Sequence, residues 1–293
     1  MYIRLFVNCN CVRERKLNEI PEKYKPYVRF DDNIIYLDYP EERKNNVVEN
    51  DVPLRKIVIE PEEYDPIWAE WLDQACEHGN GFYACAETIG SQIRLRPLIL
   101  LFKIMSDISL ESLTSVVNCS ESIEILPEEA EKFLVELHQF KTNFPAVRGT
   151  VISDEQTGSA LDIILEEEVR LVYSAEGYLV EYDSDGIWVT RQGKQNSPPE
   201  ILFHSSNFIQ DILHFSTSLL TDLDSGEYIE IKYPLFPNGD KSFPTDIRFQ
   251  DREILPADFN YLIEPFIKAF LLSIETRNPI QVLVEKSASD MSI

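Results

Sequence analysis

Residues 169–192, VRLVYSAEGYLVEYDSDGIWVTRQ, decide the fold class of this chain. They contain three runs rich in β-branched and aromatic residues, at 169–175, 178–183 and 187–192. Glycine-containing turns separate the runs, at Glu176-Gly177 and Asp185-Gly186. Runs of this kind around such turns are typical of β-hairpins. The segment therefore predicts an antiparallel meander.

Helical patterns lie on both sides of the meander. Residues 128–143 follow Pro127 and carry one apolar stripe, formed by Ala130, Phe133, Leu134, Leu137 and Phe140, which predicts an amphipathic helix. Further helices are predicted at 66–76, at 97–108 and, after a cap at Asn207, at 207–220. Strands are predicted at 2–8, 33–39, 54–60 and 280–285. Together these patterns predict an α+β fold, with mixed or antiparallel sheets packed against helices.

The length of the chain and a break near residue 150 predict two domains. A chain of 293 residues can hold two domains of ordinary size. Asn143-Phe144-Pro145 interrupts a helical pattern, and residues 153–158 have the composition of a turn. We expect an N-terminal α/β-type domain over 1–146, a C-terminal α+β domain over 147–286 and a loose tail over 287–293.

Negative charge is concentrated in the middle of the chain. The formal net charge is -24, and residues 61–230 contain 31 Asp and Glu against 9 Lys and Arg. Such a charge opposes binding to nucleic-acid phosphates and favours a basic protein partner. We therefore expect a basic protein partner and no direct binding to a nucleic-acid backbone.

The compartment is predicted from apolar runs and cysteines. No apolar run approaches the ~20 residues of a membrane-spanning helix, so no membrane association is expected. The N-terminus has no signal-peptide pattern. Five cysteines, an odd number, fit reduced thiols better than a disulfide framework. These features predict a cytoplasmic protein, and they leave its oligomeric state open.

The meander combines aromatic and acidic residues in a pattern suited to partner binding. The candidate partner-binding residues are Tyr178, Glu181, Tyr182, Asp183, Asp185 and Trp188. Aromatic anchors within a negative field favour association with a basic protein. An ordinary half-buried sheet, with its aromatic residues inward and its acidic residues outward, gives the same pattern.

Carboxylates in the same segment are a second candidate, for a divalent metal. Glu181, Asp183 and Asp185 have the acidic spacing that opens an EF-hand loop. Gln192 stands where that loop needs a bidentate Glu, and the flanking residues are predicted strands. We therefore expect a hairpin turn with solvated carboxylates rather than a calcium site.

Soft ligands in the N-terminal part raise the alternative of zinc. The candidates are Cys9, Cys11, Cys76, His78 and Cys85. Zinc takes four such ligands in a tetrahedral arrangement. The usual two-residue gap between paired ligands is absent, and Cys9 and Cys11 are expected to point the same way from a strand. Buried free thiols are therefore the favoured interpretation.

Catalytic and cofactor motifs are weak in this sequence. No Walker A sequence and no Gly-x-Ser-x-Gly nucleophile motif occur in it. Gly79-Asn80-Gly81 follows a predicted helix rather than a strand, which is not the setting of a dinucleotide site. We expect no cofactor.

The sequence favours a non-catalytic function. We expect an acidic cytoplasmic protein that binds a protein partner as an inhibitor, an immunity-type protein, an antitoxin-like factor or an adaptor. One alternative is a carboxylate-based enzyme that depends on a divalent metal. Another is a structural subunit whose apolar segments at 97–108 and 259–274 pack against other chains.

Overall fold

A computed structural model of the chain describes residues 2–31, 34–38, 66–78, 82–105, 107–175, 177–192, 198–214, 217–237 and 242–285. The predicted strand at 54–60, the glycine motif at 79–81 and the predicted tail at 287–293 lie outside them.

The described residues form helices and antiparallel sheets, so the α+β prediction is confirmed. The helices are α1 (Pro66–Gln74), α2 (Gln92–Ile104), α3 (Glu111–Val117), α4 (Pro127–Thr142) and α5 (Asn260–Thr276). The first eight strands are β1 (Tyr2–Asn8), β2 (Val28–Asp31), β3 (Ile34–Leu37), β4 (Tyr83–Ser91), β5 (Ile123–Ile125), β6 (Arg148–Asp154), β7 (Ser159–Ile164) and β8 (Arg170–Ala175). The others are β9 (Tyr178–Asp183), β10 (Gly186–Arg191), β11 (Glu200–Ser205), β12 (Asn207–His214), β13 (Thr217–Asp222), β14 (Tyr228–Ile231), β15 (Asp246–Glu253) and β16 (Ile280–Glu285). Within the described ranges, no helix is both long and apolar enough to span a membrane.

The first sheet joins the two ends of the chain. Its strand order is β4-β1-β16-β5, and β16 pairs with β1 from Tyr2↔Glu285 to Val7↔Ile280. The largest hydrophobic core includes residues of this sheet and of helices α2 to α5. The C-terminal strand thus lies inside a sheet built from N-terminal segments. The division into two domains near residue 147 stays a prediction.

Helix α4 confirms the apolar stripe read from the sequence. Ala130, Phe133, Leu137 and Phe140 are buried on one side of it. The Glu129 side chain accepts the Leu126 backbone N–H at 2.9 Å, which satisfies one free donor at the helix start. The stripe decides where α4 packs because burial of these side chains is the main gain in free energy.

Two further sheets pack face to face in the second half of the chain. The four-stranded sheet has the order β11-β10-β9-β8, which is the predicted meander with one strand added. The six-stranded sheet has the order β14-β13-β12-β15-β6-β7. Buried residues of both sheets form one core that includes Val180, Val189, Phe208 and Ile247. This packing defines an inner and an outer face of the meander.

The helix predicted at 207–220 is wrong. These residues form β12 and β13, which pair from Phe208↔Asp222 to His214↔Thr217. Phe208 and Gln210 are buried while Ile209 between them is partly exposed, which is the two-residue period of a strand. The apolar residues match a helical period as well. Pairing of β12 with β15 selects the strand over the helix. The local pattern could not reveal this, because β15 is distant in sequence.

Between β1 and β4 the chain leaves the first sheet, and we call its described residues there, at 9–31, 34–38, 66–78 and 82, the N-terminal module. Asn8 and Tyr83 pair at the end of the β1–β4 ladder, so the module begins and ends at one place. Its described residues have a separate small core that includes Tyr24, Trp68, Trp71 and Phe82. The rings of Trp68 and Trp71 stack with centroids 4.7 Å apart.

Candidate metal centre and outer face of the meander

Four soft ligand atoms converge at the base of the N-terminal module. The Sγ atoms of Cys9 and Cys76 are 3.9 Å apart. His78 Nδ1 lies 3.4 Å from Cys11 Sγ and 3.7 Å from Cys76 Sγ. All four ligand atoms lie within 4.8 Å of one another. We call Cys9, Cys11, Cys76 and His78 the Cys/His cluster.

The chain brings the cluster together by a turn and a helix end. The Cys9 backbone N–H donates to the Phe82 carbonyl at 2.8 Å, which continues the β1–β4 ladder by one step. The chain then turns, and Lys16 N–H donates to the Cys11 carbonyl at 2.9 Å. The sequence predicted that Cys9 and Cys11 point the same way from one strand. This prediction is wrong, because β1 ends at Asn8 and both cysteines follow it.

Two further hydrogen bonds connect the segment that carries Cys9 and Cys11 to the segment that carries Cys76 and His78. Cys76 and His78 follow the end of α1, and the Asn18 N–H donates to the Ala75 carbonyl at 2.8 Å. The Trp71 indole Nε1–H donates to the Glu19 carbonyl at 3.0 Å. The loop after Cys11 is thus attached to the helix that precedes Cys76.

Cys85, the fifth candidate, lies outside the cluster. It lies on β4 and is buried in the largest core. Burial raises the pKa of its thiol to about 11. Burial also raises the pKa of the Cys9 and Cys11 thiols above their usual range.

The three meander carboxylates do not gather as a metal site. Asp183 Oδ1 accepts the Asp185 backbone N–H at 2.8 Å, which is a turn contact. Glu181 lies opposite Trp188 on the neighbouring strand. Within the described ranges, the Cys/His cluster is the group of three or more metal-ligating side chains that comes together.

The two predicted tyrosine anchors lie on the inner side of the meander. Tyr182 is 7% exposed, and its hydroxyl donates to Asp162 Oδ2 at 2.5 Å. Tyr178 borders a cavity of about 670 Å³ between the two sheets. Tyr182 therefore cannot contact a partner, because its ring is part of the sheet-to-sheet core.

The outer face of the meander carries apolar, aromatic and acidic side chains together. Leu171, Glu181 and Trp188 lie side by side across β8, β9 and β10. The Trp188 ring stacks on the His204 ring with centroids 3.7 Å apart. Ile201 pairs with Thr190 on the same face and is 60% exposed. The outer face is defined by Leu171, Leu179, Glu181, Asp183, Trp188, Ile201 and His204.

The arginines of these strands lie on the other side. Arg170 pairs with Tyr182 and is fully buried, and Arg191 pairs with Tyr178 and contacts its hydroxyl. No described helix makes an extensive contact with β8–β11. The described outer face is thus apolar and acidic, without a cation from its own strands to neutralise it.

Sequence reasoning found part of this face. Alternation along β9 separates Glu181 and Asp183 from the two tyrosines, and the same alternation would have identified Leu179. Ile201 and His204 were missed because their register depends on the connection between β10 and β11.

Comparison with protein-family models, with curated proteins and with solved structures found no match to this chain.

Proposed function

We propose that this chain is a non-catalytic acidic protein of the cytoplasm that binds a basic protein through the outer face of the meander. The observation that carries the proposal is the composition of that face. Leu171 and Ile201 are 57% and 60% exposed on the same face as the half-buried Trp188, and Glu181 and Asp183 share that face. It suits an inhibitor, immunity-type, antitoxin-like or adaptor role.

Two physical effects favour binding at this face, and the second of them selects a basic partner. Exposed apolar side chains around an aromatic ring release free energy when a partner covers them. Carboxylates around them speed the approach of a positively charged protein and reject an acidic one. The cytoplasmic part of the proposal is supported by five free cysteines, which suit a reducing compartment.

The alternative functions have less support. The three carboxylates proposed for an enzyme do not converge in the described structure. The apolar segments proposed to pack against other chains are used in the core of this chain, where Leu98, Leu101, Phe266 and Phe270 are buried.

Affinity capture with paired variants tests the proposal. Leu171→Ser on the outer face is matched by Val135→Ser on α4, since both side chains are 57% exposed. Glu181→Lys is matched by Glu131→Lys, also on α4. We expect wild type and both α4 variants to retain the same basic protein, less strongly as salt rises. The two outer-face variants should lose it. Equal retention by all five proteins would contradict the proposal.

A further inference from the structure

We propose that Cys9, Cys11, Cys76 and His78 bind one zinc ion, and that this ion is structural and closes the base of the N-terminal module. The zinc site does not depend on the partner-binding proposal. Its four residues follow β1 and α1, and none of them belongs to the outer face of the meander.

The distances match a tetrahedral zinc site. Zinc binds sulfur at about 2.3 Å and imidazole nitrogen at about 2.0–2.1 Å, so tetrahedral ligand atoms lie about 3.5–3.8 Å apart. Three of the six separations are 3.9 Å between the Cys9 and Cys76 sulfurs, 3.4 Å from His78 Nδ1 to Cys11 Sγ and 3.7 Å from His78 Nδ1 to Cys76 Sγ. The other three pairs of ligand atoms lie within 4.8 Å. One ion between them can therefore contact all four atoms once the wider pairs approach by up to about 1 Å.

The ligand types select the metal. Thiolate and imidazole suit zinc, whereas calcium and magnesium take oxygen ligands. Three cysteines and one histidine are a frequent set in structural zinc sites. The protein supplies all four ligands, which leaves no position for a reactive water, so the ion has a structural role.

Isolated buried thiols do not explain this arrangement. Cys85 and Cys119 are also buried, but within the described ranges neither belongs to a group of three or more metal-ligating side chains. In the cluster, two segments 67 residues apart each supply two ligands. A Cys9–Cys76 disulfide would use two of the four and leave the convergence of Cys11 and His78 without a purpose.

The position of the cluster indicates what the ion stabilises. Cys9 directly follows β1, and Cys76 and His78 precede β4, so the ligands stand where the chain enters and leaves the module. The small separate core of the module gives limited hydrophobic stabilisation, and modules of this kind are commonly held by a metal. Zinc binding would thus be coupled to folding of the module.

Metal analysis of the purified full-length protein tests the site. We expect one zinc per chain in wild type and in Cys85→Ser, and a loss of at least tenfold in zinc content in Cys9→Ser and Cys76→Ser. Cobalt added to metal-free wild type should give the visible spectrum of a tetrahedral ion with thiolate ligands. Iron with acid-labile sulfide, or wild type that binds neither zinc nor cobalt, would overturn the proposal.

A fluorescence measurement on intact protein covers the case in which a cysteine variant does not fold. The chain has three tryptophans, and Trp68 and Trp71 are in the module. In Trp188→Phe, emission therefore comes from the module alone. We expect removal of zinc by a chelator to shift this emission to longer wavelength, and added zinc to reverse the shift. If the protein contains zinc and its emission wavelength changes with neither treatment, the structural role is overturned.

Discussion

Arg170 and Asp162 form an ion pair that is buried on both sides. Arg170 Nη1 donates to Asp162 Oδ2 at 2.6 Å, and the two side chains are 2% and 0% exposed. The hydroxyls of Tyr182 and Tyr261 donate to the same carboxylate at 2.5 Å and 3.2 Å. The contacts join β7 of the six-stranded sheet, β8 and β9 of the meander, and α5. The pair therefore links three layers of the molecule.

Breaking this pair should be costly. Asp162→Ala removes one of the two carboxylates that pair with the buried Arg170 guanidinium, leaving Glu168, and it also removes the acceptor of two tyrosine hydroxyls. We expect a loss of about 3–5 kcal/mol in the free energy of unfolding. The exposed pair Arg148–Asp251 is the control, since both of its side chains are 69% exposed. Asp251→Ala should cost less than about 1 kcal/mol. Urea denaturation of both variants measures the difference, and equal costs would contradict the expectation.

Gly186 should not tolerate a side chain. Its φ is +145°, and a Cβ atom there would lie 2.4 Å from the Ser205 carbonyl oxygen of the neighbouring strand. We expect Gly186→Ala to lower the free energy of unfolding by about 3 kcal/mol. Gly177 in the other hairpin turn has a φ of +80° and open space around it, so Gly177→Ala should cost about 1 kcal/mol. Thermal unfolding of the two variants measures the difference. Gly177→Ala reports backbone strain alone, and Gly186→Ala reports strain together with a steric clash.

The Cys85 thiol should make stability depend on alkaline pH. Burial raises its pKa from 9.0 to about 11, so folding favours the neutral thiol. This contribution is complete below the pKa of the unfolded chain and is lost as pH rises from about 9 to 11. Over that range we expect wild type to lose about 1–2 kcal/mol more than Cys85→Ala, allowing for solvent screening. Denaturation curves at both pH values measure it, and parallel losses would count against a buried neutral thiol.

Adjacent residues of α5 should differ sharply in importance. Phe270 is fully buried, and its ring stacks on Phe133 with centroids 4.9 Å apart. Phe270→Ala should cost about 3–5 kcal/mol, because the cavity adds to the lost burial. Leu271 is 53% exposed, and Leu271→Ala should cost less than about 1 kcal/mol. Urea denaturation at low protein concentration measures both losses in the free energy of unfolding. Equal losses in the two variants would place Phe270 outside the core.

Local patterns predicted several elements correctly. The α4 stripe and the meander hairpins carry their own period and turn signals, so short-range contacts are enough to specify them. The segment at 207–220 was read as a helix because its apolar residues fit two periods. Only pairing of β12 with β15, about forty residues away in sequence (Asn207↔Arg248), distinguishes them.

The candidate sites show the same division. Alternation on β9 placed Glu181 and Asp183 together, but it could not show that Tyr182 would be held in the core by Asp162 from β7. Cys9, Cys11, Cys76 and His78 were recognised as soft ligands with unfavourable spacing. Their convergence depends on the turn after β1 and on the end of α1, which have no common sequence pattern.

Composition and contacts between near neighbours are enough to predict the fold class, the acidic middle of the chain and the residue types available for a site. Three results are visible only in the folded chain: β16 enters the first sheet, Arg170 and Tyr182 point inward, and four ligand atoms meet at the base of the N-terminal module. Each of these results comes from burial and pairing between distant segments, and such contacts leave no local period in the sequence.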